Sequence, residues 1–395
     1  MTRNEFRELA ISKISFMDGA TGSILLKRGM PSGVCNEEWI ANNPELITAL
    51  QREYAEAGSD MILAATFGAN AITLNDHKKS DCVEDLNTRL FQISKMANPD
   101  KIICGDVSMT GAILEPAGDT SFEELINVYK EQISALAKAG AEVIVIETII
   151  TLSDARAAVI AAKEVCDLPI MVTMSFTESG ITLYGTSPEA AIITLQAMGV
   201  DAIGVNCGVG PDKILPVVER MAKFAKVPLI VKPNAGLPKT NEAGETYYDM
   251  TPEEFASHFK AILDKGVYFI GGCCGTSPDF IKAIHKIYAD KKVSGNPYER
   301  LLNNMVSSQR TGCFLNDLSE DDIVSVVLND INDNDIIDEI SVLSNDYVTF
   351  IPYELEKLEL ALRLYHGIPL VDGRNIEDKN SLLLLADKYG AILKK

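Results

Sequence analysis

No run of apolar residues in this chain approaches the roughly 18 needed to span a bilayer. Nothing behind Met1-Thr2-Arg3-Asn4-Glu5-Phe6-Arg7-Glu8 resembles the apolar segment of a secretion signal. Positive charge is scarce: 36 Lys and Arg stand against 56 Asp and Glu, a formal net charge of −20. Phosphate backbones are bound by clustered Lys and Arg, so the balance argues against nucleic acid as a partner, and against an anionic membrane surface. The eight cysteines, at 35, 82, 104, 166, 207, 273, 274 and 313, follow no disulfide framework and contain no CxxC pair. Without an export signal they are expected to be reduced, in a cytoplasmic protein. His77, His258, His285 and His366 make no HxH or HExxH pattern and are read as surface or satisfied residues.

What the chain does have is a rhythm. Eight short β-rich runs recur between residues 14 and 270: Ile14–Met17, Met61–Ala64, Lys101–Cys104, Val143–Ile146, Ile170–Thr173, Ala202–Val205, Leu229–Lys232 and Tyr268–Ile270. Amphipathic stretches lie between them, among them Glu45–Ala57, Ser121–Ala139, Ser153–Val165, Ser187–Met198 and Thr251–Lys265. Ser121 with Glu124, Ser153, and Thr251 with Glu254 read as N-caps, and Gly58, Gly140, Gly199 and Gly266 as left-handed helix ends. Strand–helix alternation demands a parallel sheet with helical crossovers. Eight units over this length fit a (β/α)8 TIM barrel, an α/β fold. A doubly wound open sheet is the alternative, disfavoured because no GxGxxG follows the first strand.

Barrel sites gather at the carboxyl ends of the strands. Just past the runs stand Asp18-Gly19-Ala20-Thr21-Gly22, Thr66-Phe67-Gly68, Asp106-Val107-Ser108, Glu147-Thr148, Ser175-Phe176, Asn206-Cys207-Gly208, Lys232-Pro233-Asn234 and Cys273-Cys274. Adjacent cysteines pair with each other only at the cost of a strained peptide. Cys207, Cys273 and Cys274, from strands six and eight with Asn234 on strand seven between them, instead suit one soft metal ion with an open position, as in catalytic zinc. Three inert buried thiols are the other reading. Asp18-Gly19 equally suits a plain turn and Glu147 a capping acid. Pro31 to Trp39 reads as a loop over the mouth.

The segments Asp18–Gly22, Asn206–Pro211, Lys232–Pro238 and Gly271–Thr276 resemble the homocysteine S-methyltransferase family, and most of all the homocysteine-binding barrel of cobalamin-dependent methionine synthases. The resemblance covers about residues 10–290. It implies a zinc ion on Cys207, Cys273 and Cys274 that takes the thiolate of homocysteine, with Asn234 completing the shell when substrate is absent. It further implies that the amides of Ala20 and Thr21 hold the substrate carboxylate and that Asp18 and Glu147 hold its ammonium. Zinc coordination deprotonates a thiol outright, and a thiol is a poor nucleophile until it loses that proton.

The barrel is expected over residues 1–292, and 293–395 as a small acidic α/β region, read as a remnant of a pterin-binding barrel or as a docking module. In that region Ser294–Pro297 reads as a linker and Asn316–Glu339 as one or two amphipathic helices. Tyr347–Ile351, Ile368–Asp372 and Ala391–Leu393 read as strands, and Leu382–Tyr389 as a helix. The chain lacks a Gly-Glu-Arg-x-Asn pterin motif and the DxHxxG pattern of cobalamin binding. The expected donor is therefore methylcobalamin on a separate corrinoid protein, served in turn by a folate-binding methyltransferase. S-methylmethionine, S-adenosylmethionine or betaine as donor remains open, as does a zinc-binding scaffold subunit active only with a partner.

Overall fold

Eight strands come at the expected places in the computed structural model, which describes residues 1–242, 246–292, 295–300, 304–329 and 331–394. They are β1 (Ser15–Phe16), β2 (Met61–Leu63), β3 (Ile102–Ser108), β4 (Val143–Ile149), β5 (Ile170–Met174), β6 (Ala202–Asn206), β7 (Leu229–Lys232) and β8 (Val267–Ile270). All pair in parallel in the order β1-β8-β7-β6-β5-β4-β3-β2. Nearly every strand residue is buried, as a parallel sheet covered by helices requires.

The two ends of the sheet meet through one bridge, Met17 to Met61. Side chains supply what the short ladder there does not. Asp60 Oδ2 accepts from the Phe16 amide at 3.0 Å, and Asp18 Oδ2 from the Leu63 amide at 2.8 Å. The N-terminal helix Arg3–Ser12 plugs the far end, its Phe6 ring stacked on Phe269 at 5.6 Å.

The helices start and stop for the expected reasons, with one correction. Ser121 and Glu124 form a reciprocal capping box, and Thr251 caps through the Glu254 amide. Gly58 and Gly140 are left-handed C-caps. Ser153, however, lies inside its helix, Leu152–Val165. The cap is Thr151, whose hydroxyl accepts from the Asp154 amide. Both hydroxyls suit a cap, and the extended backbone at Thr151 decides between them. Among the described residues no helix is long and apolar enough to cross a membrane.

Beyond the barrel, a hairpin, β9 (Met305–Ser307) with β10 (Gly312–Phe314), leads into four parallel strands. These are β11 (Ile323–Leu328), β12 (Tyr347–Pro352), β13 (Leu370–Val371) and β14 (Ile392–Leu393), paired in chain order with helices between. Ile323–Leu328 is thus a strand where a helix was expected, while Asp333–Val342 is the helix. Four β-branched residues in six favour the pleated form, because branched side chains crowd the preceding helical turn. Ser294 of the linker and Asp330 lie outside the described residues.

This second sheet is bolted to the barrel's outer helices. Thr194 and Ser307 share a hydroxyl hydrogen bond of 2.8 Å, and Arg363 pairs with Glu123 and Glu164. Arg156 is fully buried and donates to Leu362 O at 2.9 Å and to Tyr365 O, the end of the helix Leu355–Leu364. Burial pulls the Arg156 guanidinium down to about 10, against the pull of Tyr389 and Tyr365. Arg156→Ala strips two buried carbonyls of their donor, and a loss of about 3 kcal/mol is expected in urea unfolding. Arg363→Ala, more exposed, should cost less.

Candidate active site

The carboxyl ends of β6 and β8 carry the three cysteines, and the backbone around each is held tightly. Cys207 sits in the left-handed region at φ 56°, its amide on Lys232 O. The next residue must be glycine: a Cβ on Gly208 would lie 2.1 Å from Phe176 O. After β8, the Cys273 amide donates to Pro233 O, and the Thr276 hydroxyl and amide both donate to Cys273 O. Gly272 leaves room for that hydroxyl, which a Cβ would approach to 2.3 Å.

The three sulfurs lie within 4.8 Å of one another, and Cys207 Sγ is 4.0 Å from Cys274 Sγ. Sulfurs each about 2.3 Å from one tetrahedral ion stand about 3.8 Å apart, so the donor set closes on a metal with sub-ångström movement. Hydrogen bonding with Cys273 and Cys274 holds Cys207 well below the usual thiol range, and the same contacts push those two thiols up. Asn234 Oδ1 is buried with no hydrogen-bond partner among the described residues, and its side chain approaches Cys207. A buried amide oxygen without a partner, on a side chain next to three soft donors, is a group whose hydrogen-bonding capacity is left unspent.

Beside the cluster opens a cavity of about 270 Å³. Its walls include Ala20, Thr21, Glu37, Asp106, Glu147 and Lys232 together with all three cysteines. Asp18 lies just beneath, 1% exposed. Lys232 Nζ stands 2.9 Å from Glu147 Oε2 and 3.7 Å from Asp18 Oδ1. Burial alone would lower the Lys232 ammonium, but the Glu147 and Asp18 charges hold it well above its ordinary value. Burial raises Asp18 to about 6 against the pull of Lys232. It also raises Asp106 well above its ordinary value, helped by the Glu147 charge, and Asp106 Oδ1 has no partner among the described residues.

Glu147 reaches this cavity through a bulge. The β4–β5 register shifts between Ile146 and Ile149, and Thr148 is left-handed at φ 61°. Threonine is rarely found there, because its branched Cβ crowds the backbone. Bulges of this kind re-aim a side chain beside a site.

All the expected site residues therefore come together at one mouth, with two adjustments. The Ala20 amide is spent on Thr276 O and Oγ1, at 3.2 and 3.3 Å, which leaves Thr21 as the amide of the pair without a partner among the described residues. Pro31–Trp39 is only partly loop: Cys35 begins the helix Asn36–Asn42, whose Asn36, Glu37 and Ile40 wall the cavity. Lys232 and Asp106 were visible as strand ends but carried no assignment. A lysine closing an apolar run was the available signal, since a charge there needs a buried partner.

Fold and site together define a (β/α)8 protein that presents a three-thiol cluster and a carboxylate-lined pocket at the carboxyl face of its barrel. The profile of the homocysteine S-methyltransferase family matches residues 15–288, and the chain belongs to that family. It is 30% identical over 298 residues to a methionine synthase of Mycobacterium leprae, a stretch covering 70% of this chain and 24% of that protein. A methionine synthase of Mycobacterium tuberculosis is 29% identical over 271 residues, covering 65% and 23%. The chain thus spans about a quarter of the length of these relatives. Among solved structures, the metallated form of the homocysteine methyltransferase MmuM from Escherichia coli shares the fold, with a TM-score of 0.59 at 20% identity. That alignment covers 70% of this chain and 97% of MmuM.

Proposed function

We propose that this chain transfers a methyl group to the thiol of homocysteine, giving methionine, on a zinc ion held by Cys207, Cys273 and Cys274. The observation that carries the reading is the convergence of three thiols and the unpartnered Asn234 oxygen beside an acid-lined pocket. Zinc there would hold the substrate sulfur as an electron-rich thiolate. The chain's own residues do the rest. Glu147 and Asp18 face the substrate ammonium, Lys232 keeps that pair of carboxylates in place, and the Thr21 amide meets the carboxylate. In the transfer a sulfur–carbon bond forms while the bond to the donor breaks, its electron pair staying with the donor.

The donor is proposed to be methylcobalamin on a separate corrinoid protein. Support comes from the loops at the carboxyl face: Phe67, which walls the cavity, and Ile113, Leu183, Tyr184, Leu237 and Tyr247, from the loops after β2, β3, β5 and β7, all expose apolar surface. Exposed apolar side chains around a polar pocket suit a bulky partner set over it. Residues 1–292 are read as the catalytic unit and 293–395 as a remnant of a pterin-binding barrel. Four parallel strands in chain order with helices between agree with that reading.

The test mixes zinc-loaded protein, homocysteine and free methylcobalamin and follows the cobalamin spectrum. Demethylation with methionine appearing is expected. No change, with turnover on S-methylmethionine instead, would replace the donor. Zinc binding without turnover on either would make the chain a subunit that works only with a partner.

A further inference from the structure

We infer that Asn206 is a positioning residue that couples the three-thiol cluster to the ammonium end of the pocket, an inference that rests on the substrate reading above. Asn206 ends β6 and is 1% exposed. Its side chain reaches past β5 to the end of β4. Oδ1 accepts from the Thr148 amide at 2.9 Å, and Nδ2 donates to Thr148 Oγ1 at 2.7 Å. The same Nδ2 lies 3.8 Å from Cys273 Sγ. One amide group therefore touches both halves of the site.

The Thr148 end of this clamp has a clear purpose. Its amide has left the β4–β5 ladder at the bulge, and a buried amide without an acceptor is costly. Asn206 Oδ1 provides that acceptor and so stabilises a threonine at φ 61°, a conformation that ordinarily costs a β-branched residue dearly. With Thr148 held there, Glu147 faces the cavity beside Lys232. The Cys273 end is separate chemistry. An N–H aimed at a thiolate lowers the energy of the sulfur lone pairs and thereby weakens its donation to a metal.

These two ends can be pulled apart by experiment. Cobalt(II) substituted for zinc reports on the sulfurs through its sulfur-to-metal charge-transfer band, and titration of that band with homocysteine gives a Kd without any methyl donor. Asn206→Ala is expected to move the band to longer wavelength and to weaken homocysteine about tenfold, the cost of one misplaced charge-assisted contact. 4-Mercaptobutyrate, which lacks the amino group, should bind the variant nearly as well as it binds the unaltered protein. Adding Thr148→Gly should restore homocysteine binding, because glycine holds a positive φ without help, while the band stays shifted.

An Asn206→Ala protein with both band and Kd unchanged overturns the inference. So does a loss of affinity equal for both thiols and not rescued by Thr148→Gly, which would make Asn206 a residue of the fold alone. Should Asn206→Ala not fold, Asn206→Asp keeps the acceptor for Thr148 and removes the donor to Cys273. Band shift with little change in Kd is then expected, and an unshifted band overturns the coupling. Unaltered protein that takes up no cobalt would instead sink the metal-site reading itself, a different failure.

Discussion

Replacing Cys207, Cys273 or Cys274 by alanine is expected to abolish both zinc uptake and methyl transfer, whichever of the three is chosen. Three thiols within 4.8 Å of one another leave no spare donor: with one gone, two sulfurs and the Asn234 oxygen remain. Changes one step removed from a metal already cost about 10–100-fold in affinity or activity, so losing a ligand should exceed 100-fold. Zinc content per chain after dialysis, followed by turnover with homocysteine, measures both. Cys82 and Cys166 provide the controls. Each is a free thiol away from the cluster, and alanine there should leave zinc at one per chain. A cysteine-cluster variant that kept its zinc and its turnover would dispose of the assignment.

Lys232→Met should bring the largest loss of stability. The ammonium is 1% exposed and faces two buried carboxylates, Glu147 at 2.9 Å and Asp18 at 3.7 Å. Removing one partner of a buried ion pair leaves uncompensated charge and typically costs about 3–5 kcal/mol. The pH dependence follows from Asp18, whose folded-state value is raised to about 6 even with Lys232 present. Raised carboxyl values mean the folded state holds its proton longer than the unfolded state does. The associated stability is full below the unfolded value of about 4 and is lost as pH rises through the folded value. Without Lys232 the folded value of Asp18 rises further, so the gap between variant and parent should be wider at pH 8 than at pH 5 in urea unfolding. Changing Glu147 to Gln in the same chain should return part of the loss. A gap that widened toward acid would contradict the arrangement.

Much of this arrangement was legible in the chain itself, for physical reasons. Strands buried on both faces must be short apolar runs, and in this fold the residue that follows each run faces the mouth. Cys207, Glu147 and Asn234 could be found in that way. What sequence could not reveal depends on contacts distant along the chain. Nothing local marks Thr148 as left-handed, because the acceptor that permits it comes from Asn206, 58 residues later. The Ala20 amide looked available because its acceptor, Thr276, lies 256 residues away. Ile323–Leu328 was read as helical because its apolar stripes suit either period; its β-branched residues lean toward a strand, and pairing along Tyr347–Pro352 completes it.

The sparse seam between β1 and β2 has one more consequence. Backbone ladders are ordinarily blind to what the active site holds, since both partners are main-chain groups. At the seam the Leu63 amide donates instead to Asp18 Oδ2, a carboxylate that also faces Lys232 and, in the proposed complex, the substrate ammonium. The strength of that one hydrogen bond follows the charge on Asp18. The Leu63 amide proton is therefore expected to serve as a native spectroscopic probe: its chemical shift and its exchange with solvent should register the ionisation of the pocket floor and, in the proposed complex, the arrival of an amino group. The proposed complex would thus be reported at the joint where the barrel closes.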